Sequence, residues 1–173
     1  RLKEVLFIMA KRQVFFSFHY AKDAWRAAQV KNMGIVDNSS TWSANDWEEV
    51  RYKSDSKIKE WIDNQMAMRS CIVVLIGRDT SMRKWVKYEI EKAYELGKGI
   101  VGVYIHKLKD ADGNQTTQGA NPFYSVYTTD GHRLSNYVEC YNPPHLTSTY
   151  VYDDIKNNLP DYIERAINNK GTY

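Results

Sequence analysis

The apolar stretch CIVVLI, residues 71–76, determines the fold prediction for this chain. Six consecutive apolar residues ended by Gly77 are typical of a strand that is buried on both faces of a parallel sheet, so we place it centrally. Two similar runs, VFFSF at residues 14–18 and IVGVYI at residues 100–105, precede and follow it along the chain. They predict two further buried strands.

Segments with helical spacing separate these strands, and such alternation is typical of a doubly wound α/β domain with right-handed crossovers. We predict helices over residues 21–33, over residues 55–70, and after the N-cap candidates Asp79, Thr80 and Ser81. The fold class is therefore α/β and flavodoxin-like, with three layers and a central, mainly parallel sheet.

The remaining patterns are weaker. The apolar pair Ile35-Val36 predicts a very short strand after the first helix, and residues 138–141 predict a last edge strand. Residues 150–169 have helical spacing that is interrupted by Pro160, which could begin a separate short helix.

Composition restricts the class of protein. The 173 residues carry 24 basic and 21 acidic side chains, a formal net charge of +3 that is too balanced to predict nucleic-acid binding. No apolar run approaches the roughly 18 to 20 residues that cross a bilayer, so we expect no membrane partner. Cys71 and Cys140 fit no zinc spacing and are expected to be free, in a reducing, cytoplasmic compartment.

The first eight residues are excluded from the fold prediction. The sequence EVLF at residues 4–7, shortly before Met9, resembles a protease-tag remnant followed by an initiator methionine. We expect one domain over residues 9–173, whose C-terminal part from 122 onward is less legible.

Glu89 is the main candidate for chemistry. Ligands of doubly wound sheets bind beyond the carboxyl ends of the strands. Helical spacing places Glu89 at the edge of an apolar stripe, one turn after Trp85. A carboxylate that is partly walled by an indole could stabilise a ribosyl cation or bind ribose hydroxyls. The alternative is a surface glutamate paired with Lys92 or with charges on the side of Arg83.

Two strand ends supply further candidates. His19 and Tyr20 follow the first strand and could line the cleft, or could make only local hydrogen bonds. The turn GRDTS at residues 77–81, which contains Asp79, could hold a phosphate on its amides, or could be an ordinary capped turn.

Two loops contain further polar residues that could bind a ligand or a metal ion. Asn45, Asp46 and Trp47 lie in a long loop and could offer polar contacts and an aromatic wall, or could only stabilise that loop. The polar segment 107–121 begins like a calcium loop but has Gln115 at the sixth position, which requires glycine. We therefore predict no metal site.

Three segments, taken together, resemble one family of proteins. They are VFFSFHY at residues 14–20, residues 71–80, and RKWVKYEI at residues 83–90. These segments are similar to the TIR-like (DUF1863-type) family, which includes the ThsB component of the Thoeris anti-phage defence system. The resemblance covers residues 10–125 and implies a TIR-like version of the predicted fold.

The resemblance implies an enzyme that cleaves the nicotinamide glycosidic bond of NAD and makes a nucleotide signal, often a cyclic ADP-ribose isomer. NAD would be the substrate, with no cofactor, and the catalytic glutamate of the family matches Glu89. The diffusible product would act on a separate effector protein, and self-assembly or a phage-derived activator would control the enzyme. Seven other residues would contact the substrate or exclude water: Phe18, His19, Asn45, Asp46, Trp47, Asp79 and Trp85.

Two alternatives from other classes remain open. A non-catalytic TIR-like interaction module predicts that Glu89→Gln leaves the biological output unchanged. A nucleoside deoxyribosyltransferase-like N-glycosidase shares the sheet architecture and predicts turnover of deoxynucleosides rather than NAD.

Overall fold

The computed structural model describes residues 11–37 and 50–173, and within them the central feature is a four-stranded parallel sheet. In spatial order its strands are β1 (Val14–Ser17), β2 (Cys71–Ile76), β3 (Gly99–Tyr104) and β4 (Cys140–Tyr141). Cys71 of β2 pairs with Val14 on one side and with Gly99 on the other. The predicted α/β fold class with a parallel sheet is confirmed.

Two helix layers enclose this sheet. The α-helices that lie entirely within the described residues are α1 (Tyr20–Lys31), α2 (Asp55–Ala67), α3 (Lys84–Glu95) and α4 (Ser148–Asn168). Buried residues of α1 and α4 pack in one core cluster, and buried residues of α2 and α3 pack in the other. The chain therefore has the three layers that the sequence predicts.

The strand β2 forms the centre of both clusters because its side chains alternate between the two faces of the sheet. Val73 and Leu75 belong to the cluster with α1 and α4, whereas Ile72, Val74 and Ile76 belong to the cluster with α2 and α3. All six residues of the strand have no exposed surface. Since each such side chain contributes about 1.5–3 kcal/mol on burial, this strand stabilises both faces.

The predicted strand at Ile35-Val36 is wrong. These residues form a bend that follows Gly34, whose φ of 79° turns the chain sharply after α1. A backbone hydrogen bond from Asp37 N to Arg12 O, at 3.0 Å, joins this region to the residues before β1. Val36 is nevertheless buried in the core, so its apolar character reflects packing and not strand pairing.

The predicted break at Pro160 is also wrong, because α4 continues through this residue. Pro160 has no N–H to donate to the carbonyl of Lys156, one turn earlier. Lys156 is exposed, so water can satisfy that carbonyl. Leu159 and Ile163, on either side of the proline, are buried against the sheet and hold the helix in place.

The predicted N-caps at residues 79–81 do not cap α3. Thr80–Met82 forms a 3-10 turn instead, and Arg83 occupies the N-cap position of α3. Thr80 Oγ1 accepts a hydrogen bond from Gly77 N at 2.8 Å, which closes the turn after β2. The turn therefore stabilises the strand end, while the helix begins four residues later than Thr80.

The predicted last strand is present as β4 but has only two residues, paired in parallel with Gly102 and Val103 of β3. Residues 107–121 contain no helix or strand, as expected from their sequence. In the described part of the chain, no helix has the length and apolar character needed to cross a bilayer.

Candidate functional site

The carboxyl ends of β1 and β2 meet α3 at one edge of the sheet, and Glu89 lies there. Glu89 is three residues after Val86 and next to Ile90, both of which are buried in the core. Its own side chain is also enclosed, and the residue is 6% exposed. Glu89 is therefore a buried carboxyl group, and the alternative of a surface glutamate paired with Lys92 is wrong; the ion pairs of Lys92 are with Asp63 and Glu95.

Burial changes the acidity of this carboxyl group. Loss of water around the charged form raises the pKa of Glu89 to about 8. The Ser17 hydroxyl acts in the opposite direction. Within the described residues, however, Glu89 Oε2 and Ser17 Oγ each lack a hydrogen-bond partner of normal geometry. The unliganded site thus holds two unsatisfied polar atoms close together.

Ser17 is a site residue that the sequence analysis did not single out. It is the last residue of β1 and has no exposed surface. An unsatisfied buried hydroxyl costs about 1–3 kcal/mol, so its presence in an otherwise apolar strand requires an explanation. The sequence contained one signal for Ser17: it is the only polar residue in the apolar run VFFSF. Because side chains alternate along a strand, Ser17 faces the same helix layer as Phe15.

His19 lies at the junction of β1 and α1. Its Nδ1 accepts a hydrogen bond from Lys22 N at 3.3 Å and so caps the first turn of α1. The residue is 6% exposed, and burial, followed by the nearby Arg83 charge, lowers the pKa of the imidazole. Its capping role is the local function that the sequence offered as one alternative; substrate contact stays a prediction.

Asp79 lies in the turn after β2, in a pocket next to His19. Its carboxylate accepts a hydrogen bond from the guanidinium of Arg78 at 3.1 Å, which lowers its pKa. The pocket has a volume of about 210 Å³ and only polar and charged lining residues, among them Lys22 and Gln115. Glu89 does not line this pocket, so the two predicted site residues face different spaces.

Trp85 lies one turn before Glu89 on α3 and packs partly buried against the same core cluster. Its ring meets the ring of Tyr88 edge-on, with centroids 5.9 Å apart, and the ammonium group of Lys84 lies 4.7 Å from its centroid. These contacts hold the indole beside the start of α3, and its role as an aromatic wall next to Glu89 stays a prediction.

Phe18 follows β1 directly and is partly buried. It lines a groove of about 180 Å³ along α1 together with Phe16 and Ala27. It also packs against both core clusters, because it follows β1 at the edge of the sheet. Its role in excluding water from Glu89 stays a prediction. Asn45, Asp46 and Trp47 lie outside the described residues.

A buried ion pair fixes the loop that borders this edge, and the sequence analysis missed it. Arg26 Nη1 lies 2.8 Å from Asp23 Oδ1, and the two side chains are 4% and 2% exposed. Arg26 also donates to the carbonyl oxygens of Leu108 and Asn114, both at 2.8 Å. The sequence shows the i, i+3 spacing of Asp23 and Arg26 on a helix. It does not show the hydrogen bonds of Arg26 to carbonyl groups more than 80 residues away.

The loop also approaches the β2 turn very closely. A Cβ added at Gly119 would lie 2.2 Å from the Gly77 carbonyl oxygen, and one at Gly77 would lie 2.1 Å from Asp23 Oδ2. Both positions therefore need glycine for steric reasons. As a result, α1, the turn after β2 and residues 107–121 form one packed rim around the strand ends.

The chemistry of the Glu89 site is that of a buried carboxyl group beside a hydroxyl, with the aromatic side chain of Trp85 one turn away on the same helix. Such a group can stabilise a positive charge or accept a proton in an environment of low dielectric constant. In the described ranges, no three His, Cys, Asp or Glu side chains are grouped so that they could hold a metal ion.

The fold and the site define a doubly wound α/β domain with a buried acidic residue, Glu89, beside the carboxyl end of its first strand. The sequence model of the family described as "Thoeris protein ThsB, TIR-like domain" matches residues 15–110, which is more than half of the chain. The chain therefore belongs to this family. The chain is also 38% identical over 137 residues to a protein of Bacillus cereus (strain MSX-D12) that is named "Putative cyclic ADP-D-ribose synthase ThsB1". That match covers 75% of this chain and 71% of the relative. The resemblance stated from the sequence is confirmed.

Proposed function

We propose that this chain cleaves the nicotinamide glycosidic bond of NAD and forms a cyclic ADP-ribose-type signal in anti-phage defence, with Glu89 as its catalytic residue. The observation that carries the proposal is the buried Glu89 carboxyl group, whose Oε2 has no partner among the described residues. The name of the Bacillus cereus relative, "Putative cyclic ADP-D-ribose synthase ThsB1", supports the choice of reaction.

The proposed reaction begins with loss of nicotinamide, which leaves with the electron pair of the bond between its ring nitrogen and the ribose C1. The resulting cation on the ribose is stabilised by the ionised Glu89 carboxylate. A hydroxyl group or ring nitrogen of the same nucleotide then attacks C1, and any proton that it carries passes to Glu89 or to water. The products are nicotinamide, a cyclic ADP-ribose isomer and one proton.

The acidity of Glu89 fits this sequence of events. With its pKa raised to about 8, the unliganded side chain is mostly protonated at neutral pH. The nicotinamide ring of NAD carries a positive charge, and an opposite charge near a carboxyl group lowers its pKa. Substrate binding would therefore favour ionisation of Glu89 at the moment when the negative charge is needed.

The remaining assignments belong to the same proposal. Trp85 would cover the nicotinamide ribose, because it lies one turn from Glu89 on the same helix. The other proposed contacts are Phe18, His19, Asn45, Asp46, Trp47 and Asp79. We further propose that the enzyme works in the cytoplasm without a cofactor, that self-assembly or a phage-derived activator controls it, and that its product acts on a separate effector protein.

The test is to incubate the purified protein with NAD, with and without extract from phage-infected cells, and to separate the nucleotides by mass spectrometry. We expect nicotinamide and a cyclic ADP-ribose-type product, both of which are lost in Glu89→Gln. Glu91→Gln is the matched control, because Glu91 lies on the same helix with a half-exposed side chain. Full turnover by Glu89→Gln would refute the assignment of Glu89, and no turnover by the wild type under either condition would favour the interaction module.

A further inference from the structure

Ser17 and Glu89 come from distant parts of the sequence and meet at the carboxyl end of β1. Ser17 pairs with Val74 of β2 and has no exposed surface. Alternation along β1 directs its side chain to the face of Phe15, which packs with Val86 and Ile90 of α3. This is the layer in which Glu89 is buried, and the Ser17 hydroxyl lies close enough to the Glu89 carboxyl group to lower its pKa through hydrogen bonding.

Both members of this pair are unsatisfied in a way that points to a shared role. Ser17 Oγ and Glu89 Oε2 are each buried without a hydrogen-bond partner among the described residues. The residues next to them are apolar, since Val74 pairs with Ser17 across the sheet and Ile90 follows Glu89 on α3, and both belong to the core cluster on this face. An ionised carboxylate at this position therefore needs a nearby donor, and the Ser17 hydroxyl can rotate to become one.

We propose that Ser17 is a positioning residue whose hydroxyl donates a hydrogen bond to the ionised Glu89 carboxylate and holds it at the end of β1. A hydroxyl suits both protonation states, since it accepts from the neutral carboxyl group and donates to the carboxylate. The contribution of this bond to catalysis rests on the proposed function, whereas the bond itself does not.

A direct titration tests the bond without any substrate. The side-chain carboxyl carbons are labelled with ¹³C-glutamate, the Glu89 signal is assigned by its loss in Glu89→Gln, and its midpoint is followed by NMR. We expect Ser17→Ala to raise the midpoint by about one to two pH units, because a hydrogen bond to the charged form is lost. Ser17→Thr, which keeps the hydroxyl, should restore the wild-type midpoint.

Two further variants make this titration decisive. Thr128→Val is the matched control, since it removes another buried hydroxyl, which accepts from His132 N at 3.1 Å, and should leave the Glu89 midpoint unchanged. Ser17→Cys nearly keeps the volume but has only a weak donor, so it should raise the midpoint even if Ser17→Ala does not fold. An unchanged midpoint in the folded Ser17 variants would overturn the proposal.

The catalytic consequence is measured separately as the pH dependence of NAD turnover. We expect Ser17→Ala to lower kcat about tenfold and to move the rising limb of the kcat/KM profile, which reports the free enzyme, upward in step with the NMR midpoint. A merely structural loss would lower kcat without moving that limb, and this result would refute the positioning role. If the wild type does not turn over NAD, the proposed function fails while the titration still decides the Ser17–Glu89 bond.

Discussion

Replacement of Glu89 by glutamine should stabilise the protein at neutral and alkaline pH. A buried carboxyl group whose pKa rises from 4.5 to about 8 binds its proton more tightly in the folded than in the unfolded state. Stability is therefore lost as the pH rises from the unfolded pKa through the folded one. At 1.36 kcal/mol for each pH unit, the cost is about 3 kcal/mol at pH 7 and about 5 kcal/mol above pH 8.

Glutamine has a similar shape to glutamate but cannot ionise, so Glu89→Gln removes this cost. The assay is urea denaturation of both proteins at several values between about pH 4 and pH 9. The free energies of unfolding should agree near pH 4 and diverge in favour of the variant as the pH increases. A difference that stays constant across the range would refute the argument. Glu91→Gln, at a half-exposed position on α3, should change stability by less than about 0.5 kcal/mol.

Two further substitutions test how the rim of the site is held together, and a third tests the helix α4. Arg26→Met should lower the free energy of unfolding by about 3–5 kcal/mol, because Asp23 is left buried without its partner. Amide hydrogens in residues 107–121 should also exchange faster with solvent, because Arg26 no longer donates to the Leu108 carbonyl. Gly77→Ala should lower Tm, measured by calorimetry, because its Cβ would lie 2.1 Å from Asp23 Oδ2; an unchanged Tm would contradict this close approach. Pro160→Ala should raise the free energy of unfolding by about 1–3 kcal/mol, measured by urea denaturation, because alanine restores the backbone N–H that proline lacks. A loss of stability would show instead that the helix accommodates the proline without cost.

The sequence predicts an element correctly where its local pattern of apolar and polar residues corresponds to the burial of those residues in the folded protein. The run CIVVLI became β2 with the expected bounds, since a strand that is buried on both faces must be apolar at every position. The short pair Ile35-Val36 was misread because burial and strand pairing give the same apolar signal over two residues. The break at Pro160 was misread because local propensity is weaker than the packing of Leu159 and Ile163.

The sequence by itself determined the layer order of the fold, the family resemblance and the choice of Glu89, because periodicity and short motifs are local properties. Only the tertiary structure decided that Glu89 is buried, that Ser17 lies beside it, and that Asp79 faces a different pocket. The Asp23–Arg26 pair, whose hydrogen bonds hold residues 107–121, was likewise beyond the sequence. The physical reason is that burial and hydrogen-bond partners depend on which distant segments meet, and the acidity of a carboxyl group depends on both.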